Sequence, residues 1–152
     1  MLVTNTYDEP WTGYYNVGKL TTSANSNRTE KYFYNAGGQL ANHQQVDPGK
    51  PVHWRLTAVS ADGKTLYKRY SGGPNIGLNP DGSANYWQYD AFGRLESVPG
   101  IITSQTYETD GQTKFIQYAN GTTTAFTYSP TRRWVTGILT KDVSGKVLSN
   151  AL

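Results

Sequence analysis

The sequence predicts an all-β protein in which repeated antiparallel β-hairpins form an extended, curved sheet. Three observations lead to this prediction: a turn motif recurs along the chain, apolar and polar residues alternate between the turns, and no window shows an apolar stripe at helical spacing. The composition agrees, because the 12 tyrosines favour strands in which aromatic rings lie on half-buried surfaces.

One seven-residue motif marks the turns between the predicted strands. Its clearest copy runs from Tyr89 to Leu95 with the sequence Tyr-Asp-Ala-Phe-Gly-Arg-Leu, and weaker copies begin at Tyr15, Tyr34 and Tyr107. The steps from 15 to 34 and from 89 to 107 are 19 and 18 residues, and the gap of 55 residues from 34 to 89 is about three such steps. A fixed period indicates one supersecondary unit that is used repeatedly. The residues that we assign to the motif are Tyr89, Asp90, Gly93, Arg94, Leu95, Tyr34, Gly38, Leu40, Tyr107 and Gly111.

Further hairpins are predicted where strand-like runs flank a glycine turn. The predicted pairs are 52–60 with 65–70 and 112–118 with 122–128, and another strand begins at Lys146. Asp62-Gly63 and Asn120-Gly121 lie between the paired runs. Such dipeptides suit tight hairpins, since both residues tolerate the positive φ that a tight turn demands.

The chain length of 152 residues fits one domain. We predict a single repeat array over residues 1–152 with two sub-blocks, 1–70 and 83–152. The loop at 71–82 joins them, because this segment is rich in glycine, proline and asparagine and is the longest one without a strand pattern.

Charge and cysteine content exclude several classes of function. The 14 basic and 11 acidic residues are scattered, whereas a nucleic-acid interface needs basic residues on one face. There are no cysteines, so neither a disulfide framework nor a thiolate metal site is expected. No apolar run is as long as a membrane span, and no secretory signal is present. We therefore expect no nucleic-acid partner and no membrane span, and export would occur as part of a larger protein.

The sequence offers little for catalysis. The only histidines, His43 and His53, are not spaced as metal ligands, and no serine lies in a Gly-x-Ser-x-Gly motif. Asp81, Asp90 and Asp110 are near turn glycines, where hydrogen bonding of the turn explains them. We predict a protein that is not an enzyme and that has no metal site and no cofactor.

The Tyr-Asp-x-x-Gly-Arg-Leu segment at 89–95, with degenerate copies about 20 residues apart, resembles the YD repeat of bacterial Rhs proteins, of the B and C components of toxin complexes and of teneurins. The resemblance implies hairpins that join side by side into a strand-rich wall. In bacterial members this wall closes into a hollow shell around a toxic C-terminal polypeptide, and in teneurins it forms part of an extracellular adhesion scaffold.

The resemblance also implies architectural roles for the residues of the motif. Gly93 would supply the turn conformation, and Asp90 would accept hydrogen bonds from turn amides. Tyr89 and Leu95 would pack between strands, and Arg94 would pair with a carboxylate or stack on a neighbouring ring.

The chain departs from the family pattern in two ways. A shell takes many more repeats than 152 residues can hold, so this chain is similar to a fragment or a shortened relative. The aspartate- and proline-rich segment that supports self-cleavage in many members has no copy here, and residues 79–82 are only superficially similar to it. Self-cleavage is therefore not expected.

From the resemblance we expect a non-catalytic segment of a YD-repeat β shell that encapsulates or presents a toxin polypeptide. It would be secreted or displayed at a bacterial cell surface. Its partners would be the encapsulated polypeptide or the rest of the array, and open sheet edges would favour self-association.

The alternative function is a carbohydrate- or protein-binding adhesion module built from the same repeats. Trp11 and Trp134 are its binding candidates, because these two tryptophans lie furthest from the repeat consensus. Packing within the sheet is the competing explanation for the aromatic residues, since ring burial contributes a few kcal/mol.

Overall fold

A computed structural model describes residues 2–151 and confirms the all-β fold, with no helix in that range. Thirteen strands lie within the described residues, each antiparallel to its partners. Their bounds are β1 Thr4–Tyr7, β2 Leu20–Asn25, β3 Arg28–Tyr34, β4 Leu40–Val46, β5 His53–Val59, β6 Thr65–Tyr70, β7 Gln88–Tyr89, β8 Leu95–Ser97, β9 Ile102–Tyr107, β10 Thr113–Tyr118, β11 Thr123–Tyr128, β12 Val135–Lys141 and β13 Val147–Ala151.

The chain divides into two compact units, with the division between Asp81 and Gly82. In the first unit, β1 to β6 form one six-stranded sheet in sequence order. In the second unit, β7 and β8 form a two-stranded hairpin, and β9 to β13 form a five-stranded sheet, again in sequence order. Each strand thus pairs with strands adjacent to it in the chain, as the hairpin repeats predict.

The strands predicted on either side of the glycine turns agree with β5, β6, β10 and β11 to within one residue. In the segment 71–82, which we predicted as a loop, Ile76 forms an isolated antiparallel bridge with Lys68. The two backbone hydrogen bonds of this bridge are both 2.8 Å long.

Six hairpins within residues 2–151 share one turn geometry. In each, a residue pairs with the residue six positions later, and a glycine of positive φ lies four positions after the first. The pairs are Tyr34 with Leu40, Val59 with Thr65, Tyr89 with Leu95, Tyr107 with Thr113, Gln117 with Thr123 and Lys141 with Val147. This is the three-residue connection in which a β-turn is followed by a left-handed glycine that forms a bulge.

The expectation of two positive φ angles at Asn120-Gly121 and Asp62-Gly63 is wrong. Gly121 and Gly63 have φ of 81° and 84°, but Asn120 and Asp62 are not among the residues with positive φ. The glycine alone takes the left-handed conformation, because the turn before it uses only ordinary backbone angles.

The motif copy at Tyr15 also differs from expectation. Tyr15 does not end a strand, because β1 already ends at Tyr7, which pairs with Leu20. A connection of residues 8–19 replaces the short turn. Within it the Tyr15 amide donates to the Tyr34 carbonyl at 2.8 Å, so this segment lies against the end of β3.

The sheets bury few side chains. Among the described residues Val98 is the one buried hydrophobic side chain, and the buried polar residues are Asn16, Thr21 and Thr124. Strand contacts run between sequence neighbours in both units. Cross-strand contacts within each sheet therefore provide the stabilisation that a two-layered core provides in an ordinary domain.

Candidate functional site

The turn at 89–95 is held by the side chain of Asp90. Its Oδ1 accepts the backbone N–H groups of Phe92 and Arg94, both at 2.9 Å, and its Oδ2 accepts the Arg94 Nε–H at 2.7 Å. Desolvation alone would raise the pKa of Asp90, but the bonds from Arg94 and Phe92 outweigh it and lower that pKa. Gly93, with φ of 78°, donates its N–H to the Asp90 carbonyl at 2.9 Å.

In other hairpins of the six, a different residue occupies the position of Asp90 and accepts the same backbone bond. Asn35 Oδ1, Ser60 Oγ and Asp142 Oδ1 each accept the backbone N–H four residues later, at 3.0, 3.1 and 2.9 Å. In the two turns that begin at Glu108 and Tyr118, the backbone N–H is accepted instead by an Asp or Asn two positions later. The acceptors there are Asp110 Oδ1 for Gln112 N–H at 3.2 Å and Asn120 Oδ1 for Thr122 N–H at 3.0 Å. A short oxygen-bearing side chain thus caps each of these turns.

Arg94 lies between two aromatic rings. Its guanidinium carbon is 5.0 Å from the Phe92 ring centroid and 4.4 Å from the Tyr107 ring centroid. Its Nη1 also reaches the Glu108 carbonyl at 3.5 Å. Phe92 belongs to the same turn, whereas Tyr107 ends the strand that follows. Arg94 therefore joins one repeat to the next through a cation–π contact.

Tyrosine hydroxyls form a second connection between successive hairpins, which the sequence analysis did not predict. Tyr107 Oη donates to the Leu95 carbonyl at 2.6 Å. In the same way Tyr34 Oη donates to the carbonyl of Leu20 at 3.1 Å, and Tyr128 Oη donates to that of Thr113 at 2.5 Å. We call these three contacts the tyrosine–carbonyl bonds. In each, the acceptor is the second residue after a turn glycine, and the donor is the tyrosine that ends the adjacent strand.

A cation accompanies each tyrosine–carbonyl bond. Lys19 Nζ lies 5.7 Å from the Tyr34 ring centroid, which parallels the Arg94 contact with Tyr107. At Tyr128 the residue after the turn glycine is the neutral Gln112. Arg133 supplies the charge there at 5.3 Å, and its Nε is 2.6 Å from Asp110 Oδ2.

A sequence signal for these bonds does exist. The acceptor and the tyrosine are 14, 12 and 15 residues apart in the pairs 20 with 34, 95 with 107 and 113 with 128. A search for Gly-x-Leu or Gly-x-Thr after a turn, followed 12 to 15 residues later by a tyrosine that ends a strand, would have identified these three pairs.

The two tryptophan candidates for ligand binding differ in their surroundings. The half-buried ring of Trp11 packs on Phe33 with the ring centroids 4.3 Å apart, and Lys31 Nζ is 5.9 Å from its centroid. Trp134 is 56% exposed, and the Arg132 guanidinium carbon lies 4.8 Å from its ring centroid. Of the two, Trp134 is the better exposed ring.

The structure places His43, one of the two histidines of the chain, in β4. The ring of His43 stacks on Tyr32 across the β3–β4 pair, with the centroids 5.1 Å apart. Among residues 2–151, no three His, Asp or Glu side chains are grouped to hold a metal ion. Nor does that part of the chain contain a helix long and apolar enough to cross a membrane.

Fold and contacts together define a hairpin-repeat protein, and solved structures of toxin complexes share its fold. The crystal structure of TcdB2-TccC3 matches 97% of this chain with a TM-score of 0.78 and 16% identity. The structure of the Photorhabdus luminescens Tc holotoxin pore matches 88% with a TM-score of 0.69 and 19% identity. TcdB2-TccC3 without its hypervariable C-terminal region also matches 88%, with a TM-score of 0.71 and 18% identity.

This chain spans 8% of the length of the first of those chains and 7% of the other two. No family model matches the sequence, and no curated protein matches it with significance. The likeness therefore concerns the fold, which is that of a segment of the toxin-complex chains.

Proposed function

We propose that this chain is a non-catalytic segment of a YD-repeat β shell that encapsulates or presents a toxin polypeptide. The observation that carries the proposal is the match of 97% of the chain to a short segment of TcdB2-TccC3. The tyrosine–carbonyl bonds add support, because they join hairpin to hairpin in a way that can be extended along a longer array.

The exposure of the sheets also favours a wall within a larger assembly. Val98 is the one buried hydrophobic side chain among residues 2–151, whereas large apolar side chains such as Val17, Phe92 and Val143 are at least 80% exposed. A domain that works alone covers more of its apolar surface. A wall that lines a container can leave it open to neighbouring repeats or to an enclosed polypeptide.

The proposed location is the bacterial exterior, either secreted or at the cell surface, with export as part of a larger protein. The test is electron microscopy of the protein encoded by the complete reading frame that contains this chain. We expect a hollow shell with density inside it. A particle with no enclosed volume would rule the container function out.

A protease experiment on the same full-length protein adds an independent readout. An encapsulated polypeptide is expected to resist cleavage until the shell is denatured. If every part of the protein is cleaved at the rate of an unfolded control, the polypeptide is not enclosed.

The adhesion alternative has one observation in its favour, the exposed ring of Trp134. Aromatic rings on a protein surface can stack on sugar rings or anchor a protein partner. Arg132 already lies over this ring, so a ligand would have to use the opposite face or displace the arginine.

A further inference from the structure

The last hairpin carries an acceptor that matches those of the tyrosine–carbonyl bonds. In the turn at 90–94, the Arg94 carbonyl accepts the Asp90 N–H within the hairpin, and the next carbonyl, that of Leu95, points outward to Tyr107. In the last hairpin the Lys146 carbonyl accepts the Asp142 N–H at 2.9 Å in the same way. Because carbonyl directions alternate along a strand, the carbonyl of the following residue, Val147, faces the open edge of β13.

The first strand carries a donor that matches this acceptor. Tyr7 ends β1, just as Tyr34, Tyr107 and Tyr128 end their strands. Its side chain is 56% exposed, and its hydroxyl has no hydrogen-bond partner within residues 2–151. β1 and β13 are both edge strands of their sheets, and all of their described residues are exposed.

We propose that β1 of a second copy of this chain adds to β13 as an antiparallel strand, with Tyr7 Oη donating to the Val147 carbonyl. Lys146, the residue after the turn glycine, would take the place over the Tyr7 ring that Lys19 has over Tyr34. The contacts on which this proposal rests lie within residues 2–151 and do not depend on the toxin-shell function.

Two of the tyrosine–carbonyl bonds also indicate the register. In the β2–β3 and β10–β11 pairs, the fourth residue after the turn glycine lies opposite the third residue before the tyrosine. Thr22 faces Lys31 in the first pair, and Phe115 faces Ala125 in the second. The same rule places Ser149 of one copy opposite Thr4 of the other.

Sedimentation velocity over a concentration series tests the association. We expect wild type to associate, Tyr7→Phe to weaken the association about fivefold, as one lost hydrogen bond does, and Tyr15→Phe to match wild type. Tyr15 is the control because it is 62% exposed and does not end a strand. A wild type that stays monomeric throughout the series, or a Tyr7→Phe variant that associates as wild type does, would overturn the proposal.

A second variant blocks the edge itself. Leu148 is an extra residue in β13, because Val147 pairs with Lys141 and Ser149 pairs with Thr140. Ser149 therefore faces β12, and the next N–H on the open side of β13 after that of Val147 is that of Asn150. Asn150→Pro removes this outward donor while the bonds to β12 stay in place. We expect a circular dichroism spectrum like that of wild type and no association. Association at wild-type strength would show that another surface is responsible.

Disulfide trapping tests the register, because the natural chain has no cysteine. A mixture of Thr4→Cys and Ser149→Cys proteins is expected to form a mixed disulfide dimer under mild oxidation. Asn5→Cys mixed with Ser149→Cys is the control, since neighbouring side chains on a strand point to opposite faces of the sheet. Equal crosslinking of the two mixtures would contradict the register. Crosslinking of the control alone would show that the strands pair in a register shifted by one residue.

Discussion

Replacing Tyr107 with phenylalanine tests the connection between hairpins most directly. The change removes one oxygen and leaves the ring, so its packing beside Arg94 is kept. The Tyr107 hydroxyl donates to the Leu95 carbonyl at 2.6 Å and accepts from Gln105 Nε2 at 2.9 Å. Phenylalanine can make neither of these hydrogen bonds.

The magnitude follows from the two lost bonds. Each contributes about 0.5–1.5 kcal/mol net, so Tyr107→Phe is expected to lower the free energy of unfolding by about 1–3 kcal/mol. The loss of stability is expected in the unit that begins at Gly82, because this unit contains Tyr107. For a domain of this size, each kcal/mol corresponds to a melting temperature lower by about 4–8 °C.

Urea denaturation of the full chain, followed by tryptophan fluorescence and circular dichroism, measures the change. Tyr118→Phe is the matched control, because Tyr118 ends β10 in the same unit and its hydroxyl bonds to nothing within residues 2–151. We expect this control to stay within about 0.5 kcal/mol of wild type. If Tyr107→Phe does the same, the hydroxyl does not stabilise the connection between hairpins.

Three further predictions concern the turn, the pH dependence and the surface. Gly93→Val should lower the free energy of unfolding by about 1 kcal/mol or more, because valine is strained at φ of 78°; a change no larger than that of Gly37→Ala, whose φ is not positive, would refute this. The hydrogen bond that Tyr32 donates to Glu30 raises the pKa of Tyr32 to about 12. Its contribution to stability should therefore be intact below pH 10 and be lost as the pH rises towards 12; absorbance at alkaline pH that shows Tyr32 ionising near 10 would contradict it. If the adhesion alternative holds, an oligosaccharide should quench tryptophan fluorescence saturably, and Trp134→Ala should abolish the quenching; no saturable change with any glycan would leave that alternative unsupported.

The hairpin positions were predictable because their causes are local. A glycine and a short polar side chain within five residues are enough to specify a turn such as the one at 90–94, so the strands on either side agree with the prediction to within one residue at β5 and β6. The connection at 8–19 was missed. It depends on Trp11 and Tyr14 packing on Phe33, a contact between residues far apart in the sequence.

The sequence by itself therefore determined the fold class, the period of the repeat and the places where the chain turns. These follow from backbone preferences and hydrogen bonds of neighbouring residues, which a short window of sequence contains. The tertiary structure decided which tyrosine hydroxyl meets which carbonyl, and which strand edges remain open. Those outcomes depend on the register between adjacent strands, and register is fixed only when turns, bulges and cross-strand contacts act together.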